Sequence, residues 1–390
     1  MTQAMEQSIL GADLVESMVS WRRDLHAHPE LAFAEFRTSD KVAAELSAMG
    51  IDIHRGLGKT GVVGTLTNGE GPSIGLRADM DALPVVELGD IPHCSTHAGR
   101  MHACGHDGHT AMLLGAAKHL ARERNFKGTV HFIFQPAEEN EGGGRAMVED
   151  GLFTRFPCDA VYGMHNWPGL KAGQFAINHG PMMAALDTFE VEIQGRGSHA
   201  AMPEQGIDPF ISVAQIVMSL QTIPSRLLSA LDSAVVSVTQ IHGGDAMNVI
   251  PDSVVIRGTA RCFSEIVRAR VEESLRSICQ LVAAAHGATA SVAYKKGYPP
   301  TINTPAQTDN AIIAAKALVG SNNVQLGVKP SMASEDFAFM LQACPGAYIW
   351  LGADGSQPSK PLHNPRYDFN DSTLALGAAY WVSLVQTQLV

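Results

Sequence analysis

The chain has 390 residues, 45% of them hydrophobic and 17% charged: ample material for a packed core, and too long for one typical core, so two domains are expected. Its formal charge of -11, from 28 basic and 39 acidic residues, disfavours nucleic acid or an anionic membrane as the main partner. The six cysteines form no C-x-x-C pair, the N-terminal stretch lacks a basic and apolar leader pattern, and no run of 18 apolar residues occurs, so a soluble cytoplasmic protein is expected.

Leu14, Met18, Trp21 and Leu25 recur at helical spacing and predict a helix over 9–26. It should stop at His28-Pro29, because the residue before proline is driven out of the helical region. His26 and His28 stand at that helix end without a third ligand nearby, so capping or packing is favoured over metal binding. A second helix over 38–49 leads to strands near 51–54 and 61–67. The turn between them, Gly56-Leu57-Gly58-Lys59-Thr60-Gly61, has Ile53 where a Walker A loop needs glycine, and reads as a hairpin turn.

Ile74-Gly75-Leu76-Arg77-Ala78 predicts a buried strand running into Asp79-Met80-Asp81. Acidic residues at the carboxyl end of a strand lie where open α/β sheets place their active sites. The stretch from His102 to His109 then gathers one thiol, three imidazoles and a carboxylate, the donors that bind zinc, cobalt or manganese. Cys104 and His106, separated by Gly105, can face one ion from an extended or turn segment, but would diverge by about 200° on a helix. A helix is predicted over 110–124, with His119 an ordinary residue on it. The next strand, 129–134, breaks at Gln135-Pro136 into Ala137-Glu138-Glu139. A helix follows to Asp150, and a strand over 160–164 delivers His165-Asn166-Trp167-Pro168. Three successive strand ends thus present ligand-type side chains to one sheet edge.

The pattern changes at Asp187. Strands over 187–194, 234–241, 253–263 and 288–295, with helices over 209–222 and 265–285, give the order βαββαβ of the ferredoxin-like split unit. This predicts an inserted domain, 187–297, within a discontinuous α/β catalytic domain formed by 1–186 and 298–390. After Tyr298-Pro299-Pro300 come a helix over 309–319, a strand over 347–351, a polar loop leading to Leu362-His363-Asn364-Pro365, and a closing helix over 372–389.

Pooled, Asp79, Asp81, Cys104, His106, Glu138, Glu139, His165 and His363 exceed what one zinc ion needs. A pair of ions roughly 3.5–4 Å apart, with an open position for water, fits the surplus, and hydrolysis is the natural consequence. Of the adjacent Glu138 and Glu139, one can bind metal while the other takes the water's proton as general base. A solvated acidic turn, extended by Glu141, is the competing reading.

The chain resembles the M20 metallopeptidases, most closely their amidohydrolase branch, subfamily D, of hippurate hydrolases, N-acyl-amino-acid amidohydrolases and plant auxin-conjugate hydrolases. The resemblance spans nearly the whole chain. It rests on Leu25-His26-Ala27-His28-Pro29-Glu30-Leu31, Arg77 to Pro84, Met101 to His109, Gln135 to Glu139, Met164-His165-Asn166, Ser198-His199-Ala200-Ala201-Met202-Pro203, Asn248-Val249-Ile250-Pro251, Ser334-Glu335-Asp336-Phe337 and Leu362-His363-Asn364, in this order and spacing. It implies a zinc-peptidase-like catalytic domain with the ferredoxin-like insert as lid and dimerisation domain. It further implies Cys104, His106, Glu139, His165 and His363 as ligands of two divalent ions (Zn, Mn, Co or Ni), Glu138 as catalytic base, and Asp79 and Asp81 as supporting groups. His199 would polarise the scissile carbonyl and Asn248 would contact substrate. The implied reaction is hydrolysis of the amide bond of an N-acyl amino acid, a small-molecule substrate. Glu204 departs from the family, which commonly has histidine there; this bears on any substrate contact at that position and could favour a less acidic or basic substrate group. Competing readings are a dipeptidase or carboxypeptidase, an N-acetyl-diaminopimelate deacetylase, and a non-enzymatic metal- or peptide-binding protein. The dipeptidase group usually has His-x-Asp in place of Asp79-Met80-Asp81 and lacks the thiol of Cys104.

Overall fold

The computed structural model describes residues 10–139 and 141–390; Ile9, where the first helix was expected to begin, lies outside them. The chain divides into a larger unit, Met1–Met182, Ile302–Lys329 and Asp336–Val390, and a smaller one, Met183–Thr301 and Pro330–Glu335.

The larger unit is built on an eight-stranded mixed sheet. Its order is Asp52–Leu57, Gly61–Asn68, Gly128–Gln135, Ser73–Asp79, Ala160–Lys171, Gly346–Asp354, Phe175–Ile177 and Val324–Leu326. The first two strands form the antiparallel hairpin expected of the glycine-rich turn, and Lys59 takes φ 70 within it. Ser73–Asp79 is parallel to both Gly128–Gln135 and Ala160–Lys171, so these three strands send their carboxyl ends the same way. Near-continuous apolar runs suit strands covered on both faces. Ser73–Asp79 accordingly has six buried residues after its first.

Helices Ala12–Ala27, His106–Glu123, Pro305–Val319 and Leu374–Gln388 contribute to the same core, with Leu14, Met18, Met112, Leu114, Ala378 and Trp381 buried. Close approach of two of them requires glycine. A Cβ on Gly115 would stand 2.2 Å from Met18 Sδ.

The sheet gains two short strands that were not expected, Phe175–Ile177 and Val324–Leu326, the helix expected over 309–319 begins at Pro305, and two elements next to the ligand-type residues also differ from expectation. The helix predicted from Thr110 begins at His106, because Gly105 adopts φ 93 and releases the chain directly into it; His106, Asp107 and His109 therefore lie in its first turn. The strand predicted to end at Met164 continues to Lys171. Its partner strand keeps pairing through Trp350↔His165, Leu351↔Asn166 and Gly352↔Trp167, so the ladder outlasts the apolar run.

The smaller unit has a four-stranded antiparallel sheet ordered Ala234–His242, Ser253–Cys262, Asp187–Gln194 and Thr289–Lys296, with helices Pro209–Leu220 and Glu265–Ala285. This is the ferredoxin-like βαββαβ arrangement. Asp187–Gln194 alternates buried and exposed residues along its whole length, the signature of a sheet with one covered face. Asp208 and Ser264 cap the two helices by accepting hydrogen bonds from Phe210 N and Val267 N. Buried Asp187 receives Arg268 Nη2 at 2.6 Å and Tyr294 Oη at 2.8 Å, tying helix to sheet.

Candidate metal centre

Cys104 sits just before the helix that begins at His106, with left-handed Gly105 between them. A Cβ on Gly105 would lie 2.3 Å from Asn166 Oδ1, so both backbone conformation and crowding demand glycine. This turn lets the thiol and imidazole converge despite their short spacing. Cys104 Sγ lies 3.5 Å from Nε2 of buried His165. His363, held at φ 65, donates its backbone N–H to Ala103 O at 2.7 Å, and its Nε2 stands 3.0 Å from Glu139 Oε1.

The candidate ligand atoms form interlocking groups, each within 4.8 Å: Cys104, His106 and His165; Cys104, Glu139 and His363; His106, Glu138 and Glu139. Cys104 belongs to two of them. Asp79 forms a further group with His106 and His109, and Asp81, which among the described residues belongs to no such group, has its Oδ1 3.3 Å from His106 Nδ1.

Backbone acceptors orient the imidazoles. His106 Nδ1 is 2.9 Å from Asp81 O, and His165 Nδ1 is 2.6 Å from Asn166 O. A ring nitrogen bonded to a carbonyl oxygen carries the proton, leaving Nε2 with its lone pair available for a cation. His106 Nε2 is buried without a hydrogen-bond partner, a costly state that a bound metal ion relieves.

Asp81 reaches across to the Glu138-Glu139 pair. Its two oxygens accept the N–H groups of Glu138 and Glu139, each at 2.9 Å. The preceding Ala137 is in the left-handed region at φ 53, unusual for a residue with a Cβ, and its N–H is held at 2.8 Å by Oε1 of buried Glu35. Glu138 is buried and accepts the Asp336 N–H at 3.3 Å.

The local field favours positive charge. Burial, with Glu139, Glu138 and Asp79 nearby, pushes the Cys104 thiol well above its ordinary range. Burial alone would lower His106, but Asp79, Asp81 and Glu139 outweigh it and raise the imidazole to about 10. Burial and neighbouring His109 drive His165 the other way, well below its ordinary value. A divalent cation reverses this logic for the thiol and His106, stabilising thiolate and neutral imidazole together. The donors present therefore fit a metal site.

Asp79 also anchors a network to whose other members, His109, Asn166, Tyr367, Arg77, Gln135 and Asp336, sequence reasoning gave no roles. His109 Nδ1 is 2.6 Å from Asp79 Oδ1 and its Nε2 2.7 Å from Asn166 Oδ1; Asn166 Nδ2 donates to Tyr367 Oη at 2.6 Å. Asp79 also accepts Arg77 Nη1 at 2.7 Å, and Arg77 and Gln135 both donate to Asp336. The available signal was His109 at i+3 from His106, visible only once the helix starts at His106.

In the smaller unit, His199 and Asn248 come together. The ladder Ser198–His199 with Val249–Ile250 pairs His199 with Val249, and Ala200 N donates to Asn248 O at 3.0 Å. Both residues line one cavity of about 620 Å³ with Gly197, Asp245 and Pro251. Glu204 is exposed on the one-turn helix Pro203–Gln205. His26, by contrast, is a buried packing residue, hydrogen-bonded to Asp107 at 2.8 Å and Glu87 at 3.1 Å, in line with the packing role expected of it. Among the described residues, no helix is long and apolar enough to cross a membrane.

A mixed α/β sheet whose strand ends gather thiol, imidazole and carboxylate around a locality suited to more than one cation defines a metallohydrolase-type protein. The profile of peptidase family M20/M25/M40 matches residues 75–387, and the chain belongs to that family. It is 41% identical to a hippurate hydrolase of Campylobacter jejuni over 95% of this chain and 96% of that one. It is also 41% identical to an N-acetyl-L-cysteine deacetylase of Bacillus subtilis, over 95% of this chain and 87% of the relative. A crystal structure of a dinuclear metal-binding M20 peptidase from Bacillus subtilis superposes with TM-score 0.86 and 35% identity, covering 97% of this chain and 99% of that one.

Proposed function

We propose that this protein is a metal-dependent amidohydrolase that cleaves the amide bond of N-acyl amino acids, hippurate-like or N-acetylated, to a carboxylic acid and a free amino acid. The observation that carries this reading is the convergence of Cys104, His106, Glu138, Glu139, His165 and His363 into interlocking donor groups. The likeness to a hippurate hydrolase and an N-acetyl-L-cysteine deacetylase supports the substrate class.

Cys104, His106, Glu139, His165 and His363 would hold two divalent ions, and their mixed sulfur, nitrogen and oxygen donors suit zinc, manganese, cobalt or nickel. When bound, such ions supply Lewis acidity that brings the pKa of water towards neutrality and polarises a carbonyl. Glu138 takes the proton from the attacking water and passes it to the leaving amine. Asp81 keeps Glu138 and Glu139 in register through their backbone amides. Asp79 steadies the imidazole side through His109 and Arg77. His199 serves the oxyanion: Ala201 N–H donates to its Nδ1 at 3.1 Å, which places the ring proton on Nε2 as a donor. Asn248, in the same cavity, contacts substrate. Exposed Glu204 favours a less acidic or basic substrate group.

The larger unit acts as the catalytic domain, and the smaller as lid and dimerisation domain. The edge strand Ala234–His242, largely exposed, supports self-association. Six free cysteines are consistent with the cytoplasm.

The test is a panel of N-acetyl, N-benzoyl and dipeptide substrates assayed with and without chelator, alongside metal analysis. Chelator-sensitive release of amine from N-acyl amino acids is expected. Metal-replete protein that cleaves none of them would instead favour a binding role, and preference for dipeptides a dipeptidase.

A further inference from the structure

The larger unit holds a second feature beside the metal centre, a cavity of about 460 Å³ lined by Trp167, Pro168, Gly169, Asp354, Pro358, Ser359, Pro361 and Leu362. Its volume falls within the roughly 300–1,000 Å³ of small-molecule sites. Two walls connect it to the donors. Trp167 follows His165 by two residues on the strand Ala160–Lys171, so the two side chains share a sheet face, with ring centroids 6.2 Å apart. Leu362 directly precedes His363 and packs against the core of the unit.

The cavity is rigidly built. Trp167 stacks on Trp350 at 3.9 Å between centroids and 6° between planes. Asp354 Oδ1 accepts the N–H groups of Gly169 and Ser359, each at 3.0 Å, joining the two loops that form the rim. Ser359 Oγ donates to Ala353 O at 2.9 Å.

Resting on the amidohydrolase reading, we propose that this cavity receives the acyl half of the substrate and selects an aromatic or medium-chain aliphatic acyl group over acetyl. The amino-acid half carries a carboxylate close to the scissile nitrogen. None of the lining residues is basic, and Asp354 is acidic, so that half is repelled. The acyl half is uncharged, and the indole and the Leu362, Pro168, Pro358 and Pro361 side chains offer it apolar surface.

Two measurements separate this assignment from the reading beneath it. The first is the kcat/KM series for N-acetyl-, N-hexanoyl- and N-benzoyl-alanine, for the wild type, Leu362→Trp, which fills the cavity, and Trp167→Ala, which removes a wall. The wild type should prefer benzoyl or hexanoyl to acetyl by about tenfold or more, since each buried methylene is worth roughly 10- to 200-fold. Both variants should shrink that ratio about tenfold. The second is calorimetric binding of benzoate and acetate to the metal-loaded protein, with benzoate tighter and weakened by Leu362→Trp. Turnover of the series with acyl ratios unmoved by either variant overturns the subsite and leaves the amidohydrolase reading standing. Benzoate binding sensitive to Leu362→Trp without turnover of any amide supports the cavity as an acyl-binding site and overturns the amidohydrolase reading. Absence of both overturns both.

Discussion

In the larger unit Cys104, His106 and His165 are at most 7% exposed, and hydrogen bonds donated to the Asp81 and Asn166 carbonyls fix the imidazoles, while Gly105 sets the thiol. In the smaller unit His199 and Asn248 are exposed and rest on a ladder of two residues per strand. Burial makes the first set preorganised: its donors are aimed before any ligand arrives, and an unpaired one is costly. Exposure leaves the second set solvated and cheap to hold. Replacing the buried donors Cys104, His106 or His165 should accordingly lower metal content and stability, whereas replacing His199 or Asn248 should act on turnover alone.

The strongest challenge to that contrast is Glu138→Gln, which keeps the shape of the larger unit's base but removes its proton-accepting charge. kcat should fall roughly 10²- to 10⁴-fold with metal content unchanged, checked by steady-state kinetics beside elemental analysis. Retention of most activity would displace Glu138 from its role. His199→Ala should lower kcat roughly 10²- to 10³-fold while leaving metal stoichiometry and melting temperature as in the wild type. A fall in bound metal in that variant would erase the distinction between the units.

Asp81→Asn sits between these extremes. The amide keeps the side-chain shape but replaces one acceptor oxygen with a donor facing a backbone N–H. Metal affinity, measured by competition with a chromophoric chelator, should weaken roughly 10- to 100-fold. At Glu35 the effect is on the pH dependence of stability. Burial, opposed by the Thr60 hydrogen bond and reinforced by Asp81, raises this carboxyl from 4.5 to about 7. Between those values the folded protein holds a proton that the unfolded chain has lost. Stability from this group is therefore full below 4.5 and declines as pH rises through 7, by at most about 1.4 kcal/mol per pH unit. Urea unfolding across pH 5 to 8 should show this decline flattened in Glu35→Gln, and an unchanged slope would assign it elsewhere.

Much of this was legible in the residues. Asp187–Gln194 announces itself by strict alternation, and Glu265–Ala285 by its long apolar stripe. The strand-end donors were legible because open sheets collect chemistry at one edge. The start of the helix at His106 was hidden, since Gly105-His106-Asp107-Gly108 has loop composition and only tertiary burial makes it helical. The extension of the strand beyond Met164 was hidden because a partner far along the chain sustains it. The supporting network of Arg77, Gln135, His109, Asn166 and Asp336 could not be inferred either. Its members are polar residues whose burial depends on distant segments, with up to 259 positions between partners.

The grip of Asp81 on two consecutive amides has a consequence for how neighbouring side chains with unlike duties stay in phase. A single carboxylate anchors both, so thermal drift of the segment carries proton acceptor and cation donor together instead of pulling them apart. Adjacent glutamates thereby behave as one mechanical part, and their relative spacing is set by the peptide unit between them.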